Sequence, residues 1–428
     1  MKVEISPELS NYMYDVIQKI IDEAGCRMPC SKQEAKAAEI IKDELTKTCD
    51  EVEIEPFTCH PRAFLGWIRL DIILVLLSIS IFLLIGFFAG DNFLIKIILS
   101  TISFGLSLLA FLIIWNEFFN YREFIDKLFK EKPSQNVVGK IKPKGELKKI
   151  IIFSGHHDSA LQFNLLRYLK VGYTIIIIWG IVTMYVWLFF SGLYFLLTIF
   201  NLSNYEWFYQ QTIILVIQGA IPLIGLFFFV SSGEKANKVP GAVDNLSAVS
   251  IVLALGKYLK ENKDIIPENT EIRLISFGCE EAGLRGAYRY AAAHLDELKK
   301  YDAEVFNMDG IQSTKIQFII EYEPTTRTKH SEEVVKKMLK AAEIVGEKAK
   351  PFGSTFLQKL VGQISGGTDA TAFSKAGIKA ANISAMEFKK FPKFYHQPSD
   401  TLDKIERGAL EITLRTCIGY LIISKDEK

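Results

Sequence analysis

The chain has 428 residues, 49% of them hydrophobic and 23% charged, with a mean hydropathy of +0.19. That is too apolar for an ordinary soluble protein and too charged for one wholly embedded in lipid, so a mixed protein is expected, part in the bilayer and part in water. A formal net charge of +1 gives no footing for nucleic acid, and the six cysteines, of which only Cys26 and Cys30 are close in sequence, neither make a zinc finger nor require an oxidising compartment.

The opening MKVEISPELSNYMYDVIQKI is acidic and amphipathic and lacks the apolar core of a signal peptide. Ser31-Lys32-Gln33-Glu34 reads as a capping box that opens the helix SKQEAKAAEIIKDELTKT. EVEIEPF alternates apolar and polar residues, as a strand does. Residues 72–90 and 97–115 are apolar runs joined by the tight link AGDNF, each near the roughly 20 residues that cross a bilayer. NVVGKI (136–141) and KKIIIFSG predict strands, the second ending at His156-His157-Asp158. Two more apolar runs follow, 171–200 and 212–232, and between Val171 and Gly233 the only charge is Glu206, in the aromatic link NLSNYEWFYQQ. Beyond them SAVSIVLALGKYLK is helical by its apolar spacing, EIRLISFG is a strand and GLRGAYRYAAAHLDELKK a helix. Strands are predicted at AEVFNMDG, IQFIIEYE and KAANISA, and helices over 331–345 and 402–423.

The four apolar runs pair into two transmembrane hairpins, and a hairpin returns the chain to its starting side. All remaining segments therefore lie on one face and can build one domain. The expected division is 1–65, 117–170 and 234–428 for that domain, with hairpins at 66–116 and 171–233. Arg62, Arg69, Arg122, Lys127, Arg167, Lys170, Lys235 and Lys238 flank the spans on the domain side, against Lys96 at the tips, so the domain is expected on the cytoplasmic face of a multi-pass membrane protein. With the hairpins removed, strands alternate with helices: an α/β fold, with a mostly parallel sheet sandwiched by helices and ligands bound at the carboxyl ends of its strands.

The hydrophilic residues at those ends carry the chemistry. His156 and Asp158 follow IIIFSG, Asp244 precedes a helix in PGAVDNLS, Glu280 and Glu281 follow ISFGC, Asp309 follows VFNM, and His396 lies in FYHQPSD. Two imidazoles and several carboxylates form a mixed N and O donor set suited to two borderline-hard divalent ions, zinc above all. Carboxylates at buried strand ends are otherwise costly to desolvate.

In this order HHDS, GAVDNLS, CEEAGLRGA, NMDG and YHQPSDT resemble the motifs of the co-catalytic di-zinc aminopeptidases, metallopeptidase family twenty-eight of clan MH. The resemblance covers essentially all the chain outside the hairpins and implies a zinc-exopeptidase, phosphorylase-like fold. It further implies two Zn2+ ions, with His156 on one, His396 on the other and Asp244 bridging both. Glu281 and Asp309 would complete the shells, which of them serves which ion being left open. Glu280 would be the general base on the bridging water, Asp158 would orient His156, and Tyr395 could donate to the developing oxyanion. His157 is the variable middle residue of H-x-D, and His60, His294 and His330 match no motif. Asp369, in SGGTDATAFSKAGI, falls in a segment resembling an active-site loop, with Ala370 where the family often has His. Lys389, Lys390 and Lys393 suit a solvated loop near lipid heads or a peptide carboxylate.

The function implied is a membrane-anchored aminopeptidase acting on peptides, with the bilayer as second partner and oligomeric state open. Rivals are a catalytically silent scaffold or receptor of the same fold and a glutaminyl-cyclase-like acyl transferase. Retention of Glu280 and of all five ligand positions disfavours both. A transporter is disfavoured because the predicted spans carry no internal charges of the kind that mark ion paths. The second hairpin's place between the first ligand and Asp244 leads one to expect a site mouth near the membrane surface.

Overall fold

Uninterrupted apolar runs such as Ile150–Phe153 suit strands covered on both faces, and such strands are central in the fold. The computed structural model describes residues 3–170, 172–231, 236–355, 358–359, 366–386 and 393–426. The chain divides into two compact units, one of Met1–Pro61, Lys130–Gln162 and Ser232–Lys428, the other of Arg62–Phe129 and Phe163–Ser231.

The first unit is built on β1 (Glu51–Cys59), β2 (Lys132–Ile141), β3 (Lys149–His156), β4 (Thr270–Phe277), β5 (Glu304–Ile311), β6 (Gln317–Ile320), the short pair β7 (Tyr322–Glu323) and β8 (Thr328–Lys329), β9 (Ala349–Phe352) and β10 (Lys379–Ala385). Eight of these form one sheet in the order β1-β2-β4-β3-β5-β10-β6-β9. The central four, β4-β3-β5-β10, are parallel, and antiparallel pairs flank them. Alternation along β3 sends Ile151 and Phe153 into one apolar cluster with Val249 and Leu253 and Ile150 and Ile152 into another with Val305 and Phe373. The mostly parallel sheet sandwiched by helices is therefore as expected.

Register sets the site. His156 is level with Phe277 of β4, and Ser154 with Asn307 of β5, so the segments after these strands emerge together at one end. Gly155 permits this: a Cβ there would lie 2.6 Å from the Cβ of Ala248, at the start of the helix Ser247–Glu261 that covers this face.

Several elements differ from expectation. IQFIIEYE breaks after Ile320 into β6 and β7. The helix expected from GLRGAYRY onward is two, Arg285–Ala293 and Leu295–Lys300, parting at His294, whose Nε2 lies 2.9 Å from Glu55 Oε1. The helix predicted over 402–423 is a short turn, Leu402–Lys404, followed after the left-handed Gly408 by Ala409–Asp426. The capping box is half formed: Ser31 Oγ accepts from Glu34 N at 3.1 Å, but the Glu34 carboxylate is spent elsewhere.

The second unit holds four long helices, Ala63–Phe88, Phe93–Glu117, Gly172–Ile199 and Tyr205–Phe227, each long and apolar enough to cross a membrane. The first begins at Ala63 rather than 72, so the helix also includes Arg69 and Asp71 ahead of the predicted apolar run. Arg69 Nε and Nη2 donate to the carbonyls of Phe227, the last residue of the fourth helix, and of Val230 just beyond it, at 3.1 and 3.0 Å. The fourth helix begins at Tyr205 because Asn204 caps it through Trp207 N, so part of the expected aromatic link is helical. Hydroxyl and indole contacts join the helices: Trp187 Nε1 donates to Ser78 Oγ at 2.8 Å, and Ser107 and Ser191 meet at 2.8 Å. Outward faces are apolar, with Phe87, Ile217 and Ile221 each more than two-thirds exposed. A fifth helix, Ala242–Glu261, also meets the criteria of length and composition, but it is 89% buried and its apolar surface is spent in the core of the first unit.

Candidate metal centre

β3 ends at His156, and the next residues are held rigidly. Arg27, fully buried, donates from Nε to the His157 carbonyl at 2.7 Å and from Nη2 to the Gly241 carbonyl at 3.2 Å. Its backbone N–H binds Ser159 Oγ at 2.8 Å, and Ser159 N returns a bond to the Arg27 carbonyl. One side chain thus ties the HHDS loop to the loop bearing Asp244. No motif pointed to Arg27. The only signal was a lone cation inside GCRMPC.

Asp244 is presented by a turn with non-helical backbone and a cis peptide to Asn245. Its loop hangs on Asp400, whose Oδ1 and Oδ2 accept from Val243 N at 2.8 Å and Asp244 N at 3.2 Å. Asn245 spans Asp309 on both sides, donating to the Met308 carbonyl at 3.0 Å and accepting from Gly310 N at 3.3 Å. Both sit within the quoted motifs, YHQPSDT and GAVDNLS, but sequence reading assigned them no task.

The expected ligands converge. Asp244 faces the two imidazoles with its two oxygens: Oδ1 lies 3.3 Å from His156 Nε2, and Oδ2 lies 3.3 Å from His396 Nε2. His396 Nε2 is also 3.4 Å from Glu281 Oε1, and His156 Nε2 is 3.7 Å from Glu280 Oε2. The donors sort into two groups, His156 with Glu280 and Asp309, and Asp244 with Glu281 and His396, each with its donor atoms within 4.8 Å of one another. In space Asp309 stands with His156, and Glu281 with His396. Asp158 Oδ1 is 3.2 Å from His156 Nδ1, and the same carboxylate accepts from the backbone N–H groups of Glu280 and Glu281 at 3.1 and 3.0 Å. Tyr395 lays its ring on the His396 imidazole, centroids 4.0 Å apart. Asp369 is fully buried beside this group. Lys389 and Lys390 lie outside the described residues.

The electrostatics are those of a site short of positive charge. Burial pushes the Glu280 and Glu281 carboxyls well above their ordinary range, and neighbouring carboxylates add to it. Asp309 is pushed up to about 7 by burial and by Asp244, and Asp400 to about 8 by the same two causes. Asp369 is raised by burial and by Asp158 and Asp309 against the opposing pull of His156. Burial also raises Asp244, but the imidazoles of His156 and His396 outweigh it and hold this carboxyl below its usual range. His156 Nε2 and Glu281 Oε1 are buried without a hydrogen-bond partner among the described residues. Orphaned N and O donors amid surplus carboxylate fit divalent cations of the zinc type.

His157 turns away from this cluster. It is fully buried, its Nδ1 is 2.9 Å from Ser276 Oγ, and burial lowers its pKa to about 4. The unfolded chain takes up this proton near pH 6.5 and the folded one only near 4, so stability is whole above 6.5 and falls as pH drops between them. At about 1.36 kcal/mol per unit the loss is on the order of 3 kcal/mol. The raised carboxyls of Glu280, Glu281, Asp309, Asp369 and Asp400 act in the opposite sense over the same range, so the contribution is read as a difference. In urea unfolding of metal-free protein, His157→Gln should gain about this much stability relative to the unmutated chain as pH falls from about 6.5 to about 4, and a constant difference would remove His157 from the account.

Residues 230–421 match the model of Peptidase family M28. Aminopeptidase YwaD of Bacillus subtilis (strain 168) is 32% identical over 194 residues, 44% of this chain and 39% of that protein, so the chain spans about two fifths of that relative. Among solved structures, an aminopeptidase from Aneurinibacillus sp. strain AM-1 aligns at TM-score 0.53 and 16% identity over 97% of this chain and 93% of that one. A zinc aminopeptidase from Bacillus subtilis aligns at 0.53 and 16% over 98% and 96%. A glutaminyl cyclase of Fimbriiglobus ruber aligns at 0.55 and 11% over 99% and 97%. At these identities the structures share the fold.

Proposed function

We propose, for a chain whose residues 230–421 match the model of Peptidase family M28, that it is a membrane-anchored exopeptidase of that family hydrolysing the N-terminal peptide bond of peptides. One observation carries the reading: Asp244 turns one oxygen to each of two imidazoles, as a carboxylate shared by two cations must. His156 and Asp309 would hold one ion, His396 and Glu281 the other. When bound, two such ions supply Lewis acidity to the scissile carbonyl and lower the pKa of a water to near neutrality.

The chain's own residues do the rest. Glu280, raised in pKa by burial, is suited to take a proton from that water and return it to the leaving amine. Asp158 fixes both partners of that step, since the carboxylate beside His156 also holds the backbone of Glu280. The surplus carboxylates, Asp369 among them, favour a substrate with a free ammonium group. The exposed apolar faces of the second unit support anchoring in a bilayer.

The test is a digest of a peptide library by the detergent-solubilised, zinc-loaded protein, read by mass spectrometry. Stepwise loss of N-terminal residues is expected. Loss of ammonia from N-terminal glutamine with no peptide cleavage would replace the reading by cyclisation, the activity named for one structural neighbour. No product at all would point to a silent scaffold. Protein that stays in solution without detergent would overturn the membrane anchoring.

A further inference from the structure

Cys30, Cys59 and Cys279 come from three separate segments: the loop before the helix Lys32–Thr46, the last position of β1, and the turn after β4. Their sulfurs form a nearly equilateral triangle, each pair 3.4 Å apart, and all three are free thiols. Cys59 and Cys279 are buried and Cys30 half-buried. A disulfide would draw one pair to about 2 Å and leave the third sulfur behind. Apolar packing of thiols does not account for the surroundings either. Glu34 Oε1 lies 3.5 Å from Cys279 Sγ, and the Lys132 carbonyl 3.7 Å from Cys30 Sγ.

The Glu34 carboxylate organises two of the three corners. Its Oε2 accepts from Cys30 N at 2.7 Å and its Oε1 from Cys279 N at 3.0 Å. This is why it does not return to the Ser31 backbone as a capping box would. Gly278 keeps the approach open, since a Cβ there would lie 3.1 Å from Glu34 Oε1 and 2.5 Å from the Gln135 carbonyl.

The triangle has the size of a thiolate site. Its corners lie about 2.0 Å from its centre, so an ion with zinc–sulfur distances of about 2.3 Å sits about 1.2 Å out of the sulfur plane and touches all three. A fourth position is then left for an oxygen donor. Soft sulfur donors select a different cation class from the mixed N and O cluster around Asp244.

We propose that Cys30, Cys59 and Cys279 bind one thiophilic divalent cation, zinc in ordinary supply, with Glu34 beside it, at a site separate from the Asp244 centre. Binding displaces the thiol protons to solvent and changes no oxidation state. Arg289, which donates to the Thr58 carbonyl at 3.4 Å, offsets part of the charge at the Cys59 corner. The ion cross-links the loop before Lys32, β1 and the turn whose next two residues are Glu280 and Glu281. On the peptidase reading it therefore braces the glutamates from behind.

The test uses the full chain with His156→Ala and His396→Ala, which lack the imidazoles of the other centre. After zinc loading and gel filtration this variant should retain one zinc equivalent by elemental analysis. Loaded with Co2+ instead, it should show sulfur-to-cobalt charge-transfer absorption. Cys59→Ser in that background should lose both, and Cys30→Ser, at the half-buried corner, serves as the second variant should the first fail to fold. No retained zinc and no charge-transfer band, with all three thiols open to an alkylating reagent, would overturn the site. So would a mass two hydrogens short that marks a disulfide within the triad. If instead the unmutated chain holds only the sulfur-bound ion, the di-zinc reading fails while this site stands.

Discussion

Replacing Glu280 by glutamine should leave the zinc content of the protein unchanged and lower peptide hydrolysis by about a hundred- to ten-thousand-fold. The case is not trivial, because Glu280 stands with His156 and Asp309 in a group of possible metal donors, its Oε2 3.7 Å from His156 Nε2. Two roles are open to it, ligand and proton acceptor. As a ligand it would make Asp309 redundant or crowd the His156 side, whereas Glu281, one residue on, stands on the His396 side. As an acceptor it needs a pKa lifted toward the working pH, and burial beside other carboxylates lifts it. Glutamine keeps the shape and removes the basic oxygen, so elemental analysis alongside turnover separates the roles. Zinc falling in step with activity would make Glu280 a ligand, and activity within a few-fold of the unmutated chain would leave it neither.

Asp244→Ala should be as damaging by another route. This carboxylate faces both imidazoles, so its loss weakens both shells at once, while Glu281→Gln should weaken one. Zinc content should drop by both ions of this centre, hydrolysis should reach background, and added zinc should raise the melting temperature by less than in the unmutated chain, because only the thiol site then still binds zinc in the folded state. Should Asp244→Ala lose a single ion, the two groups do not share this residue and the bridged centre is wrong.

The strand–helix alternation was legible because β3 is an uninterrupted apolar run and the other central strands are largely apolar, and buried parallel strands leave that trace. His156, Asp244, Glu281, Asp309 and His396, each in a short motif of the sequence, come together as the reading of those motifs expects. Their pairing was not legible, because it depends on the order β4-β3-β5-β10, which lies outside any local window. Arg27, Asn245 and Asp400 escaped for a related reason: they act on backbone groups of distant loops, and such bonds leave no periodicity. The thiol triad was hidden most completely. Its members stand 29, 220 and 249 positions apart in sequence, and the one short spacing, Cys26 to Cys30, was misleading. Helix breaks at His294 and Gly408 were missed because apolar spacing continues across them.

The bonds from Asp400 to the Val243 and Asp244 backbone have a bearing on biogenesis. They join positions more than 150 residues apart, and the site also needs residue 27 from near the start of the chain and His396 from near its end. A chain still on the ribosome, with both apolar hairpins already made, owns His156 and Asp244 but lacks His396 and the carboxylate that poses Asp244. It can hold no complete centre. The group of donors is therefore complete only once residue 400 has been made, and a chain cut before residue 396 lacks both His396 and the carboxylate that poses Asp244.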